Sequence, residues 1–128
     1  MKNPFRDRLP AFKHAFEGFI HVLQTQKNSW IHSAATILVI IAAIIAKLPA
    51  LHLAILLIMI GLVWVAEIFN TSIEALVDLI SPDHHPLAKI AKDTGAAAVL
   101  ILSIVAFLVG ILLLAPPLIN TLIPLFVH

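Results

Sequence analysis

Three apolar stretches, residues 31–46, 49–66 and 95–115, constrain the fold of this chain more than any other feature. A hydrocarbon core of about 30 Å takes about 20 residues of helix to cross. The third stretch is long enough alone, and the second runs on into further helical sequence. The first reaches the required length only by taking in residues 28–30 and Lys47-Leu48. With 61% of 128 residues hydrophobic and a mean hydropathy of +1.05, little polar surface is left for a soluble helical bundle. The reading is an all-α integral membrane protein forming one domain over residues 1–128. Membrane helices are expected at about 29–48, 49–80 and 87–115, the last two extending into the cytoplasm.

The net charge of +1 gives no reason to expect a nucleic-acid partner, but the distribution of charge is informative. Lys2, Arg6, Arg8, Lys13 and Lys27 precede the first span, and Lys89 and Lys92 lie between the second and third. Only Lys47 falls in the first loop. The positive-inside rule therefore places the N-terminus and residues 78–93 in the cytoplasm and the C-terminus outside. There is no cysteine on which to base a redox argument. No cleavable signal peptide is expected, because the first apolar run starts some thirty residues in.

Ahead of the spans, Phe12, Phe16, Phe19, Ile20 and Leu23 form a stripe opposite Lys13, His14, Glu17, His21 and Gln24. Residues 10–26 thus read as an amphipathic helix on the inner membrane surface, although packing on a partner gives the same pattern. In TQKNSWIH (25–32), Asn28 or Ser29 suits a helix cap and Trp30 suits the headgroup zone. Lys47-Leu48-Pro49 reads as a tight outer turn, and Ser81-Pro82 as a helix stop. Gly95-Ala96-Ala97-Ala98 permits close helix approach. Pro116-Pro117 is expected to break the last helix and leave residues 118–128 as an apolar tail on the outer surface.

The chemistry concentrates between Trp64 and Asp93, which hold every acidic residue except Asp7 and Glu17. At about 100° per residue, Glu67, Asn70, Glu74 and Asp78 fall within a narrow arc of one helical face. Keeping three carboxylates and an amide on an otherwise greasy helix is costly. Asp78 alone is equally well read as a solvated residue on a helix that has left the membrane. Together the group suggests a hard-cation site, since Mg²⁺ takes oxygen ligands and is often shared between one or two carboxylates and a nucleotide's phosphates. A further carboxylate could serve as general base on a hydroxyl. Gly18, Gly61, Gly95 and Gly110 are too scattered for any phosphate-binding loop, so phosphates would be held by metal and side chains. Lys92, beside Asp93, is the candidate, although such a pair also serves as an interfacial anchor. Asp83, His84 and His85 make only a weak zinc motif, and His14, His21, His32 and His52 read most simply as interfacial.

AEIFNTSIEALVDL (66–79), followed by HHPLAKIAKD (84–93), closely resembles the signature of the prokaryotic diacylglycerol kinase family, small membrane lipid kinases that include undecaprenol kinases. The resemblance runs from about Phe12 to Leu114, and the HHPLAK turn is more similar to the undecaprenol kinases. It implies a homotrimer in the inner (cytoplasmic) membrane of a bacterial cell, with active sites between subunits at the cytoplasmic face. The γ-phosphate of MgATP would pass to undecaprenol, or alternatively to diacylglycerol. On matching positions, Glu67 is implied as general base and Glu74 as metal ligand, with Asn70 and Asp78 as supporting polar residues. Asp83, His84, His85, Lys92 and Asp93 would surround the ATP, and His14 would reach it from the surface helix. Gln26 stands where much of the family has a glutamate that shares the metal with the second acid of the signature. Its amide can still coordinate through oxygen but brings no charge. Self-association also follows from the residues themselves, because three thin helices cannot enclose a nucleotide site and satisfy three carboxylates. A small ion or proton transport protein, or a silent membrane adaptor, are readings from other classes. Against transport, the acids gather at one membrane face and the first and third spans are almost free of ionisable groups.

Overall fold

The computed structural model describes residues 9–83 and 85–126. Four helices follow one another: α1 (Leu9–Thr25), α2 (Lys27–Ile45), α3 (Ala50–Ile80) and α4 (Pro86–Phe126). The last three are long and apolar enough to cross a membrane. At 1.5 Å per residue, α2 is about 28 Å long, close to the thickness of the hydrocarbon layer. Helices α3 and α4 are much longer and must project beyond it.

Each boundary has a local cause. Gln26 is extended (φ −93°, ψ 120°) and separates α1 from α2. The expected cap at Asn28 or Ser29 is not what forms. Ser29 is fully buried inside the first turn, and its hydroxyl donates to the Gln26 carbonyl (2.6 Å), with a longer contact to that of Leu23 (3.2 Å). It therefore locks the corner from within. The end of α2 comes three residues earlier than expected, because Lys47 enters the left-handed region (φ 48°). The Leu48 amide then bonds back to Ala43 and that of Lys47 to Ile44, the two bonds of a Schellman cap. Helix α3 stops at Ile80, since Pro82 holds Ser81 out of the helical region. Helix α4 opens on Pro86, with the His85 ring capping it: His85 Nδ1 accepts from the Leu87 amide at 3.2 Å.

The expected break at Pro116-Pro117 does not occur, and α4 continues to Phe126. The two missing amide donors leave carbonyls that no water can satisfy inside a membrane, a cost that packing must offset. Packing on either side of the prolines favours continuity. Leu114 joins Ala43 and Leu56 in the buried core, and Leu113 and Leu118 pack against that cluster.

Helix α3 runs antiparallel to both neighbours. Down α2 and up α3, Ala43 meets Leu56, Thr36 meets Trp64, His32 meets Glu67 and Gln26 meets Glu74. Few side chains are buried, and Leu57, Ile58, Leu100, Ile101, Phe107 and Leu112 all face outward from the helices. That inside-out distribution is what a lipid solvent permits.

Candidate functional site

The buried polar side chains gather at the end of the bundle opposite the Lys47 turn. Four are present among the described residues: Ser29, Glu67, Asn70 and Thr71. Three of them lie on α3, because the face that the 3.6-residue repeat assembles is the face turned toward α2 and α4. Glu67 is 1% exposed, and neither of its carboxylate oxygens has a hydrogen-bond partner. Its nearest basic neighbour is His32, with Nε2 3.7 Å from Oε2. The Thr71 hydroxyl donates to the Glu67 carbonyl (2.9 Å), which ties off the backbone at that turn.

Two turns beyond Glu67, Glu74 is partly buried and held by two amides. Asn70 Nδ2 donates to Oε1 (2.9 Å) and Gln26 Nε2 donates to Oε2 (3.3 Å). The corner locked by Ser29 delivers Gln26, the residue between α1 and α2, to a carboxylate forty-eight residues away in the chain. Asn70 in turn lies against α4, where Gly95 is buried. A Cβ at Gly95 would overlap Asn70 Oδ1, so the Asn70 amide keeps its present place only opposite a glycine. Gly95→Ala is expected to fold, because the Asn70 amide can turn away. Turning it breaks the 2.9 Å support of Glu74, and turnover is expected to fall about tenfold, the equivalent of about 1.4 kcal/mol. Specific activity, alongside an unchanged detergent-solubilised elution volume, checks this.

Among the described residues, the remaining sequence candidates make no hydrogen bond or ion pair to this centre, and of them only Asp78 and Lys92 pair with each other. Asp78 is exposed and accepts from Lys92 Nζ at 2.5 Å, which links α3 to α4. Asp93 is bound by Lys89 at 2.5 Å, and His14 contacts Glu17 at 3.1 Å on the exposed side of α1. Asp83 is exposed in the turn, where its carbonyl accepts from the Ser81 hydroxyl. His85 acts through Nδ1 as the α4 cap, so the outward-facing Nε2 is what remains for a ligand. His84 lies outside the described residues.

One participant is not evident from the sequence pattern. His32 reads there as an interfacial residue, but its side chain is only 13% exposed and its Nε2 is buried without a hydrogen-bond partner. Its ring meets Trp64 edge-on, with centroids 6.1 Å apart. Trp64 is itself fixed by Phe19 of α1 and by a hydrogen bond from Nε1 to Thr36 Oγ1 (3.3 Å). His32, Thr36 and Trp64 form the upper wall of an apolar groove of about 470 Å³ between α2, α3 and α4, which reaches down to Leu114 and Leu118.

Among the described residues no three His, Cys, Asp or Glu side chains converge on a metal position. The donors present are Glu74 and, after rotation of its amide, the Gln26 oxygen, with the unpartnered Asn70 Oδ1 beside them. This all-oxygen set suits a hard cation that draws most of its ligands from water and phosphates.

A buried acid near an amide-held carboxylate, behind the His32 and Trp64 wall of an apolar groove, suits phosphate transfer to a membrane-dissolved acceptor. Comparison with known proteins agrees. Residues 13–114 match the prokaryotic diacylglycerol kinase family. The chain belongs to that family. It is accordingly an ATP-dependent lipid kinase and a membrane protein. It is 35% identical to the undecaprenol kinase of Bacillus subtilis, over 91% of this chain and 95% of that protein. It is 40% identical to a Synechocystis diacylglycerol kinase, over 90% of this chain and 66% of that protein. A diacylglycerol kinase of Escherichia coli K12 is 40% identical over 69% of this chain and 78% of its own length. The matched span contains every site residue named above, and the transport and adaptor readings fall away.

Proposed function

We propose that this protein is an undecaprenol kinase, converting undecaprenol and MgATP to undecaprenyl phosphate and ADP. The observation that carries the reading is Glu67, a buried carboxylate with two unpartnered oxygens, one helical turn beyond Val63 and Trp64, which line an apolar groove. Such a group is poised to take a proton from a hydroxyl delivered along the hydrocarbon side. As the alcohol oxygen bonds to the γ-phosphorus, its proton passes to Glu67, and the bond to the β,γ-bridging oxygen breaks to release ADP. Glu74 and Gln26 would hold Mg²⁺, which when bound supplies positive charge to the phosphates. Lys92 and the Nε2 of His85 face the nucleotide, with Asp83, His84, Asp93 and His14 around it. Lys92 must exchange Asp78 for phosphate on binding, a swap between two anionic partners at similar charge-assisted strength.

The protein works as a homotrimer in the bacterial inner membrane, with α1 along the cytoplasmic surface. Two features support this. Phe12 and Phe16 are exposed on α1, and the outward apolar faces of the long helices need either lipid or a second copy. Undecaprenol is placed ahead of diacylglycerol because the Bacillus subtilis protein matches along almost its whole length. The Synechocystis relative keeps diacylglycerol as the second reading.

Purified protein in mixed micelles, given labelled MgATP with each lipid separately, tests the choice. Label in undecaprenyl phosphate well above that in phosphatidate is the expected result. The reverse preference would replace the acceptor while leaving the residue roles in place.

A further inference from the structure

Glu67 presents a physical problem that the roles above leave open. A carboxylate withdrawn from water with no hydrogen bond to either oxygen is unfavourable by several kcal/mol unless something compensates it. At this end of the bundle Lys92 pairs with Asp78, Lys89 with Asp93 and Lys13 with Glu17, and neither these lysines nor Lys27 forms an ion pair with Glu67. Among the described residues, the one basic side chain within 4 Å of Glu67 is His32. At 3.7 Å the pair is roughly 0.8 Å beyond an ordinary N–H···O separation, close enough for a small side-chain shift to complete the bond. Both facing atoms are otherwise unpartnered. The imidazole has little freedom to turn elsewhere. Trp64 meets its edge, and Trp64 is pinned by Thr36 and Phe19.

We propose that His32, which lines the α2–α3–α4 groove, is the positioning residue for Glu67 and holds its carboxylate just behind the groove wall, toward the acceptor hydroxyl. This rests on the lipid-kinase reading with Glu67 as base. His32 acts through Glu67 and takes no proton from the acceptor itself. Because it also lines the groove, the same ring separates the hydrocarbon compartment from the acid and sets the depth at which an alcohol meets it.

The test is a kinetic cycle in mixed micelles using wild type, His32→Ala, His32→Gln, His32→Asn, Glu67→Gln and the double variant His32→Ala/Glu67→Gln. Glutamine places an N–H near the Nε2 position and reaches Glu67, whereas asparagine mimics the Nδ1 side and does not. His32→Ala is expected to lower kcat by about 10- to 100-fold through lost orientation, with KM for ATP unchanged. His32→Gln should restore most of that loss and His32→Asn should not. In the Glu67→Gln background, removing His32 should cost nothing further, the signature of two residues acting as one unit.

A full additional loss in the double variant, or equal impairment of the glutamine and asparagine variants, would overturn the assignment. So would a loss confined to KM for ATP. If His32→Ala does not yield intact protein, the glutamine–asparagine comparison decides alone. A wild type that phosphorylates no lipid would remove the kinase reading and this assignment with it. That result is distinct from an active wild type indifferent to residue 32.

Discussion

Glu67→Gln is expected to cut lipid phosphorylation by about 10²- to 10⁴-fold, to a measurable residual rate, while leaving a protein at least as stable as wild type. The two halves of this expectation have different physical origins. A general base contributes about 10²- to 10⁴-fold to rate, and an amide of the same shape cannot accept the alcohol's proton. Stability moves the other way. The wild-type carboxylate is 1% exposed with neither oxygen hydrogen-bonded, so replacing it with a neutral group removes a buried charge that His32, at 3.7 Å, compensates only in part. A higher melting temperature in detergent combined with lost turnover would mark Glu67 as a residue kept for chemistry at the expense of the fold. Turnover within a few-fold of wild type would remove Glu67 from the role of base.

How much of this site can be read from the sequence depends on where its partners lie along the chain. Glu67, Asn70 and Glu74 share one helix, so the 3.6-residue repeat suffices to put them on one face. The structure then divides that face. Glu67 and Asn70 are buried, Glu74 is partly so, and Asp78 stands exposed where α3 reaches Lys92. Gln26 and His32 are another matter. Each meets α3 only through the antiparallel register of α2, and no local spacing reports that. The information was nonetheless present. With the turn at Lys47, a residue fifteen before it must face one some twenty after it, and that correspondence would have taken His32 off the interface and placed it against Glu67.

Two local rules drawn from helices in water do not hold at Ser29 and at Pro116-Pro117. Ser29 looks like a cap because serine usually is one, yet here its hydroxyl is turned into the corner it stabilises. Pro116-Pro117 looks like a stop because an interior proline normally leaves a carbonyl to solvent. In α4 the residues on either side pack on the Ala43–Leu56–Leu114 cluster, and the helix runs through.

Glu74→Gln is expected to remove phosphotransfer by a different route, through loss of metal dependence. In the structure Glu74 faces two amide donors, Asn70 Nδ2 and Gln26 Nε2. A single carboxylate held by neutral groups is the smallest protein contribution that can attract a divalent cation already carrying phosphates. With glutamine at position 74, three amides face one another and no charge remains. The rate should then fall by about 10²-fold or more and stop responding to Mg²⁺ concentration over the range that saturates wild type. The complementary change sharpens the point. Gln26→Glu replaces a hydrogen-bond donor to Glu74 with a second carboxylate at the same place. Without metal the two acids repel, which lowers stability; with metal they share it, which raises affinity. Mg²⁺ titration of activity should therefore show half-saturation at equal or lower concentration in Gln26→Glu, together with a steeper metal dependence of the melting temperature. Clearly weaker Mg²⁺ affinity in that variant would mean that residue 26 faces away from the metal, and the Gln26–Glu74 hydrogen bond would then be only a joint between α2 and α3.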